Sequence, residues 1–409
     1  MPASVALPFV ADRLFHRYTK ACMFATVVES VTTVVTFASL FYFMAALWSA
    51  RSFVRRRAAA PDFAPGVSIL KPLKGFDAGM YEAFASHCRQ KYAGKYEILF
   101  GVSSLDDPAV AAVEQLKAEF PEQSIRLIVC PEKLGLNGKI SNVVQMAREA
   151  RYLYLILNDS DIHVSPHYLS RIMSGFAAPE HGKTVGMVTA PYRGVAHGTL
   201  GSKMEALGIA TDFFPGVLTA LKMDGEIRFG LGSTLAVSRE SLAAAGGFEA
   251  LVNSLADDYD LGFRIAKAGF AVSLSREVVA TSVPPYNLRE FFAHQLRWAR
   301  AVRDSRKLGY LGLIFTFGLA WAILNVVACG FSLESLALLS LAAAARITVA
   351  LTIGVGLLND GQVLRDFWLL PLRDFCALWV WIWSFANNSV TWRGEKFLLE
   401  DGRLKRMKP

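Results

Sequence analysis

Cysteine is scarce in this chain. There are five in 409 residues, Cys22, Cys88, Cys130, Cys329 and Cys376, and none has metal-binding spacing. That scatter speaks against a disulfide framework and fits a reducing compartment. The seven histidines show no ligand pattern. No Gly-x-Gly-x-x-Gly follows the first predicted strand, so a dinucleotide fingerprint is missing. No internal repeat is present. No small-residue cleavage site stands out after the first apolar stretch, which reads as a retained anchor rather than a cleaved signal peptide.

Charge is also lacking, but only in places. Ala21 to Trp48 is a run of 28 residues with one charge, Glu29. Tyr310 to Leu333 is a second apolar stretch. Leu336 to Leu358 is a third and holds Arg346. Phe367 to Ala386 is a fourth, with Pro371, Arg373 and Asp374. A membrane span needs about 20 apolar residues. The first two stretches qualify as they stand. Charges in the last two must face a bundle interior, snorkel or pair, with one another among the options. The fourth reads as a span, a re-entrant piece or an interfacial piece. Four buried core helices are the competing reading, but a soluble core rarely needs so much unbroken apolar helix.

The formal net charge is +8. Arg51, Arg55, Arg56 and Arg57 follow the first span, which argues that the middle of the chain is cytoplasmic. Arg13, Arg17 and Lys20 precede the span and pull the other way. The segment after Trp392 is basic, with Arg393, Lys396, Arg403, Lys405, Arg406 and Lys408. A tail on the inside requires an even number of C-terminal crossings. The basic excess suits an anionic membrane surface or a phosphorylated small molecule, and nothing calls for nucleic acid. The expected organisation is an extension over 1–20 with no recognisable element, an anchor over 21–50 and a basic linker over 51–66. A globular domain over 67–288 follows, then an amphipathic helix over 289–309, membrane segments over 310–388 and a basic tail over 389–409.

The globular part alternates. "VSILKPLKG" reads as a strand ending in a turn, followed by a helix around Met80 to Cys88. "YEILFGVSS" is a second strand, "AVAAVEQLKAEF" an amphipathic helix and "SIRLIVC" a third strand. "KISNVVQMAREA" and "RYLYLIL" give another helix and a fourth strand. The alternation predicts an α/β fold, a mainly parallel sheet covered by helices on both faces. Ligands bind beyond the carboxyl ends of the strands in such sheets. Two acidic pairs fall at those ends, Asp106/Asp107 and Asp159/Asp161.

Each chemical candidate has a plain reading beside it. Asp159-Ser160-Asp161 can hold a hard divalent cation, Mg2+ or Mn2+, that grips a diphosphate. It is also good turn chemistry. Asp257 and Asp258 precede a helix from about Tyr259 to Lys267, where aspartate caps helices. One of them can equally be a general base. In "REFFAHQLRWARAVRDSRK", Leu288, Phe292, Leu296, Ala299 and Val302 recur at helical spacing among arginines. This describes a basic amphipathic helix lying in a membrane interface. Arg297 can pair with a phosphate there, and Trp298 can meet a sugar or apolar face. Lys71, Lys74 and Lys139 can neutralise phosphate or can be solvated surface lysines.

Together, "VSILKPLKGFD", "SSLDDPAV", "GLNGKISNV", "NDSDIHV", "ADDYDLGFRIAKAGF" and "HQLRW" occur in the order seen in ceramide glucosyltransferases. The chain resembles that family over about residues 67 to 300, with the anchor before and the membrane segments after. The family comprises membrane-bound inverting glycosyltransferases of the GT-A fold and includes a bacterial hopanoid branch. The resemblance implies a nucleotide-side role for Asp107, and metal binding on the donor diphosphate by Asp159 and Asp161. It implies that Asp258 is the catalytic base and that Arg297 and Trp298 stand beside diphosphate and acceptor. It also implies donor binding by Lys139 and by Pro72 of the first motif. One departure is plain: the family's (Q/R)xxRW motif has His294 in its first position here, with Gln295 one step on.

The implied partners are a UDP-sugar donor, UDP-glucose or UDP-N-acetylglucosamine, and a membrane lipid acceptor, ceramide or a hopanoid polyol. The stretch "ARAVRDSRKLGY" resembles the bacterial branch, which implies the amino sugar. The implied location is a bacterial inner membrane with the catalytic domain cytoplasmic. A processive polysaccharide synthase uses a similar acidic set, but three late apolar stretches are too few for its channel. A non-catalytic scaffold is the reading of another class, and the presence of Asp159, Asp258 and Arg297 together speaks against it.

Overall fold

The computed structural model describes residues 6–55, 63–77, 79–392, 395–400 and 402–406, with side chains from Met23 onward and Trp392 excepted. Arg56 and Arg57 of the basic cluster, residues 56–62 of the expected linker, and Arg393 and Lys408 of the tail lie outside the described residues.

The apolar anchor forms one long helix, α1 (Ala6–Val54). It begins inside the stretch expected to carry no element. No proline interrupts the segment after Pro8, and proline is tolerated in a first helical turn. Strands and helices then alternate: β1 (Val67–Pro72), α2 (Met80–Cys88), β2 (Tyr96–Val102), α3 (Ala109–Glu119), β3 (Ile125–Val129), α4 (Gly138–Glu149) and β4 (Tyr154–Leu157). After β5 (Ile162–His163) and α5 (Tyr168–Ser174) come β6 (Val185–Thr189) and β7 (Tyr192–Ala196). The chain continues through α6 (Leu200–Gly208), a π-helical turn (Ile209–Phe213) and α7 (Phe214–Asp224). Then follow β8 (Leu235–Ser238), α8 (Arg239–Ala244), α9 (Asp257–Lys267), β9 (Ala271–Leu274) and β10 (Val279–Val283).

Seven strands form one sheet in the order β3-β2-β1-β4-β8-β6-β9. β1 lies parallel between β2 and β4, with Leu70 level with Leu99 and Leu157. β8 runs antiparallel to both β4 and β6, so the sheet is mixed. The central strands are buried on both faces, as their near-continuous Val/Ile/Leu runs require. A smaller sheet, β5-β10-β7, stands beside the carboxyl end of β4.

The C-terminal part is α10 (Leu288–Ser305), α11 (Lys307–Gly312), α12 (Gly318–Ala328), α13 (Leu333–Val349), α14 (Gln362–Asp366) and α15 (Leu370–Ser384). Among the described residues, three helices are long and apolar enough to cross a membrane: Met23–Val54, Leu200–Asp224 and Leu333–Leu357. The second was not expected from the sequence. It is 78% buried and packs on α1, so it is a core element of the domain facing the anchor. The stretch Tyr310–Leu333, expected as a plain span, is broken: Lys307–Thr316 and Gly318–Ala328 meet at 55°. Gly318 sits so close to Phe43 of α1 that a Cβ there would lie 2.7 Å from the ring. The fourth stretch yields α15, a helix of 15 residues. At 1.5 Å per residue that is about 22 Å, short of the roughly 30 Å hydrocarbon core.

Two expectations are corrected here. The helix expected over 289–309 ends at Ser305, and a separate helix begins at Lys307. α10 packs against α15, α6 and the C-terminal strands; Leu288 and Val302 are exposed while Phe291 and Arg300 are buried. The expected tail is a folded sheet, β11 (Ser389–Trp392), β12 (Glu395–Glu400) and β13 (Arg403–Arg406), all antiparallel. Its apolar residues alternate: Phe397 and Leu399 point inward between exposed neighbours. The charges are on the outside of a strand pattern.

Candidate active site

The quoted strand end is built by Asn158. Its backbone N–H continues the β1 ladder to the Leu70 carbonyl, at 3.1 Å. Its buried amide donates to the Ser233 carbonyl at 2.6 Å and meets Tyr168 Oη and Thr234 Oγ1 at 3.0 and 3.2 Å. That fastens the Asp159 turn to the loop at Gly232. A Cβ on Gly232 would stand 3.1 Å from Asp258 Oδ2 and 3.9 Å from Asp159 Oδ2. The two carboxylates, 99 positions apart in the chain, therefore open onto one space, and the missing side chain at Gly232 keeps it free.

Asp257 and Asp258 open α9. The N-cap position itself is Ala256, with no side-chain cap. Asp258 Oδ1 accepts the Tyr259 N–H at 2.8 Å, and the Asp258 carbonyl accepts the Gly230 N–H at 3.1 Å. Asp257 turns toward α4: its Oδ2 lies 3.1 Å from Lys139 Nζ, which is 2.8 Å from Asp159 Oδ1. Lys139 is set there by its helix start. Asn137 is the N-cap, accepting the Ile140 N–H at 3.1 Å, and its buried amide donates to the Ser254 carbonyl at 2.9 Å. The lysine joins the two acidic motifs.

The electrostatics follow from this crowding. Burial first, then Asp257 against a relieving Lys139, pushes the Asp258 carboxyl up to about 6. Burial raises Asp161 as well, and Asp159 adds to it. Burial alone would lower Lys139, but Asp159 and Asp257 override it and hold the ammonium more firmly than usual. Lys71 is fully buried in β1 and donates to the Asp159 carbonyl at 3.0 Å. Burial brings it down to about 7 against the pull of Asp161 and Asp159. It is not the solvated lysine of the plain reading, whereas Lys74 is exposed.

The remaining expected residues fall in two places. Asp107 is at the end of β2, where its carboxylate accepts N–H groups of Gly75 at 3.0 and 3.1 Å and of Ala109 at 3.0 Å. It ties the turn after Pro72 to the start of α3. β1 separates it from the Asp159 strand, about 10 Å across two ladder spacings. Asp106 is exposed and bonded to Ser104 Oγ, an ordinary turn. Arg297 and Trp298 are on α10, half-buried. Trp298 leans on Phe213, and Phe213 on Tyr192, with ring centroids 6.5 and 5.4 Å apart. Burial, then Asp258 and Glu205, hold the Tyr192 phenol far above its usual value, so this aromatic path ends among the carboxylates.

Glu205 was not singled out from the sequence. It is buried on α6 and accepts from both candidates of the departing motif: His294 Nδ1 at 2.9 Å and Gln295 Nε2 at 3.5 Å. The signal was there, since Glu205 and Asp212 are the acidic residues inside a largely apolar 25-residue helix that ends at Asp224. Such charges usually have named partners. Thr281, also not anticipated, donates to Asp161 Oδ2 at 2.5 Å.

A family model described as Glycosyl transferase family 21 matches residues 31–405. The chain belongs to this family. Ceramide glucosyltransferase 3 of Caenorhabditis elegans is 28% identical over 236 residues, 58% of this chain and 50% of that protein. Ceramide glucosyltransferase 1 of the same organism is 23% identical over 365 residues, 84% of this chain and 74% of that protein. The match thus spans half the length of the first relative and about three quarters of the second. Among solved structures, a mannosyltransferase from Pyrobaculum calidifontis, PcManGT, in complex with GDP-Man and Mn2+, superposes with a TM-score of 0.53. It is 19% identical, with 88% of this chain and 99% of that chain covered, which establishes the GT-A fold.

Proposed function

We propose that this family member transfers one sugar, with inversion, from a UDP-sugar to the hydroxyl of a membrane lipid, ceramide or a hopanoid polyol. The observation that carries the reading is the convergence of Asp159 and Asp258 on the space at Gly232. Asp258 is the base: raised to about 6, its carboxylate is ionised at neutral pH yet basic enough to take a proton. The acceptor oxygen attacks the anomeric carbon, the bond from that carbon to the diphosphate breaks, and the hydroxyl proton goes to Asp258. UDP departs with the bonding pair.

Among the described residues no three His, Cys, Asp or Glu side chains gather as a metal-ligand set. Asp159 is nonetheless 41% exposed at its side chain, with Asp161 two residues on. One or two carboxylates suffice for a hard cation whose other ligands are diphosphate and water, so the donor set fits. A Mg2+ or Mn2+ held by Asp159 and Asp161 would offset the charge of the leaving diphosphate. Lys139 lies beside that position, and Lys139 and Arg297 are the cations for the same charge. Asp107 and Pro72 shape the nucleotide side, and Trp298 with Phe213 and Tyr192 forms an aromatic wall for the acceptor. A lipid acceptor accounts for the apolar helices packed against the domain; the catalytic side is cytoplasmic and the membrane is a bacterial inner membrane on this reading.

The test is a transfer assay. The purified full chain in lipid vesicles would be given UDP-glucose or UDP-N-acetylglucosamine with ceramide or a hopanoid polyol, with and without EDTA, and products weighed by mass spectrometry. One added sugar on a lipid is expected. A polymer would point to a processive synthase, and no lipid product from any membrane extract would sink the proposal.

A further inference from the structure

The C-terminal sheet is left unused by the function above. Its placement is specific. The Leu404 N–H donates to the Asn253 carbonyl at 2.8 Å, the Leu255 N–H to the Gly402 carbonyl at 3.2 Å, and Ser254 bridges to Arg403. β13 therefore adds itself as a strand to residues 253–255, just upstream of Asp257 and Asp258. Leu255, Val390, Phe397, Leu399 and Leu404 form a small core of their own, against which Leu136 and Ala301 pack. Leu136 is three residues before Lys139, and Ala301 is one helical turn after Trp298.

α10 holds the sheet with side chains. Arg300 donates to the Ser389 carbonyl at 2.5 Å, Arg303 to the Ser384 carbonyl and Asn388 Oδ1, and Asp304 accepts the Gly402 N–H. Asp304 has the wrong sign for the last turn of a helix, where the dipole favours cations. Its bond to Gly402 is the compensating interaction. Three strands with four buried apolar residues stand at the lower limit of independent stability. The sheet is ordered by what it touches, and in return it joins those parts.

Resting on the site reading above, we propose that the C-terminal sheet is a clamp that sets α10, the Asp258 loop and the start of α4 in mutual register, with Asp304 as a positioning residue. Asp304 reaches Gly402, Gly402 reaches Leu255, and Asp258 is three residues further.

Asp304→Ala in the full chain removes the acceptor and should leave α10 no less helical. Asp304→Asn keeps an acceptor oxygen. The expected result for Ala is a kcat lower by about 10- to 100-fold, from misplacement of the base. The donor KM should stay within about twofold, since no donor contact is touched. Asn should retain most of the turnover. Backbone hydrogen exchange over residues 253–258 should quicken in the Ala variant alone. Parental kcat in Asp304→Ala, equal losses in Ala and Asn, or unchanged exchange at 253–258 would each overturn the clamp. A parent protein that glycosylates no lipid would instead remove the proposed function, and the exchange comparison would still judge the clamp.

Discussion

The role proposed for Asp258 sets the demands of catalysis against those of folding. As a base it must be ionised, so transfer should fail on the acid side: kcat/KM is expected to fall about tenfold per pH unit below about 6. Folding has the opposite sign. A carboxyl whose folded value is raised contributes stability fully only below its unfolded value, near 4, and loses it as pH rises through about 6. At pH 8 the ionised Asp258 is therefore a destabilising group. Asp258→Asn should abolish turnover while leaving the thermal midpoint at pH 8 equal to or above the parent's. A pH–rate profile and a melting curve check both halves. A variant that melts well below the parent would mean that the ionised carboxylate is doing structural work. The place of Asp258 at a helix start was legible from "ADDYDLGF". Its elevation was not, because that comes first from burial and, beside its neighbour Asp257, from Asp159, and burial and Asp159 arrive only with folding. Gly232 carried no signal at all, since a glycine kept for empty space reads in sequence like any other loop glycine.

The start of α4 shows what an element contributes beyond its residues. Asn137 caps the helix and also holds the Ser254 carbonyl, so one side chain fixes both the direction of Lys139 and the approach to Asp257. Asn137→Ala should cost about 2–3 kcal/mol, a lost cap plus a buried carbonyl left unpaired. Asn137→Asp keeps the cap but cannot donate to Ser254, and should recover only part of that stability. Denaturant midpoints decide it: an Asn137→Asp midpoint equal to the parent's would mean the Ser254 bond contributes nothing. Elements of this kind were largely readable. The strands β1 to β4 and the helices between them follow from alternation and Gly/Pro/Asn punctuation, and α10 from its spacing, with a capping box at Asn287 and Glu290 behind two prolines. Elements whose identity depends on partners were not. The tail sheet was hidden because its charges are more conspicuous than its four inward residues, Val390, Phe397, Leu399 and Leu404. The bend at Phe317 arises where Gly318 abuts α1, a contact between parts 275 positions apart.

On the scale of the molecule, the membrane helices and the transferase domain share one polar cluster. Arg346 on α13 is 1% exposed and bonds Asp374 of α15 at 2.9 and 3.1 Å, the Thr211 carbonyl at 2.7 Å, and Asp212. Pairing among the late charges was foreseeable, because an arginine in an apolar helix needs a carboxylate. Asp212 was not, because it lies in the domain. Its neighbour Phe213 leans on Trp298, and Arg373 links Asp212, at 3.0 Å, to Gln295, at 3.2 Å. The cluster thus reaches α10 and the acceptor wall. Arg346→Met removes the cation and leaves Asp374 buried without its partner, which should cost about 3–5 kcal/mol. The double change Arg346→Met with Asp374→Leu removes both charges and should recover most of that loss, because two well-packed apolar residues need no counterion. Thermal unfolding in detergent separates these outcomes, and a single variant as stable as the parent would show that the ion cluster is ornamental. Turnover should not recover with stability in the double variant. Asp212 would still lack Arg346, and the Ile209–Phe213 turn that sets Phe213 against Trp298 would be held by Arg373 alone. A double variant that is both stable and fully active would separate the membrane cluster from the acceptor wall.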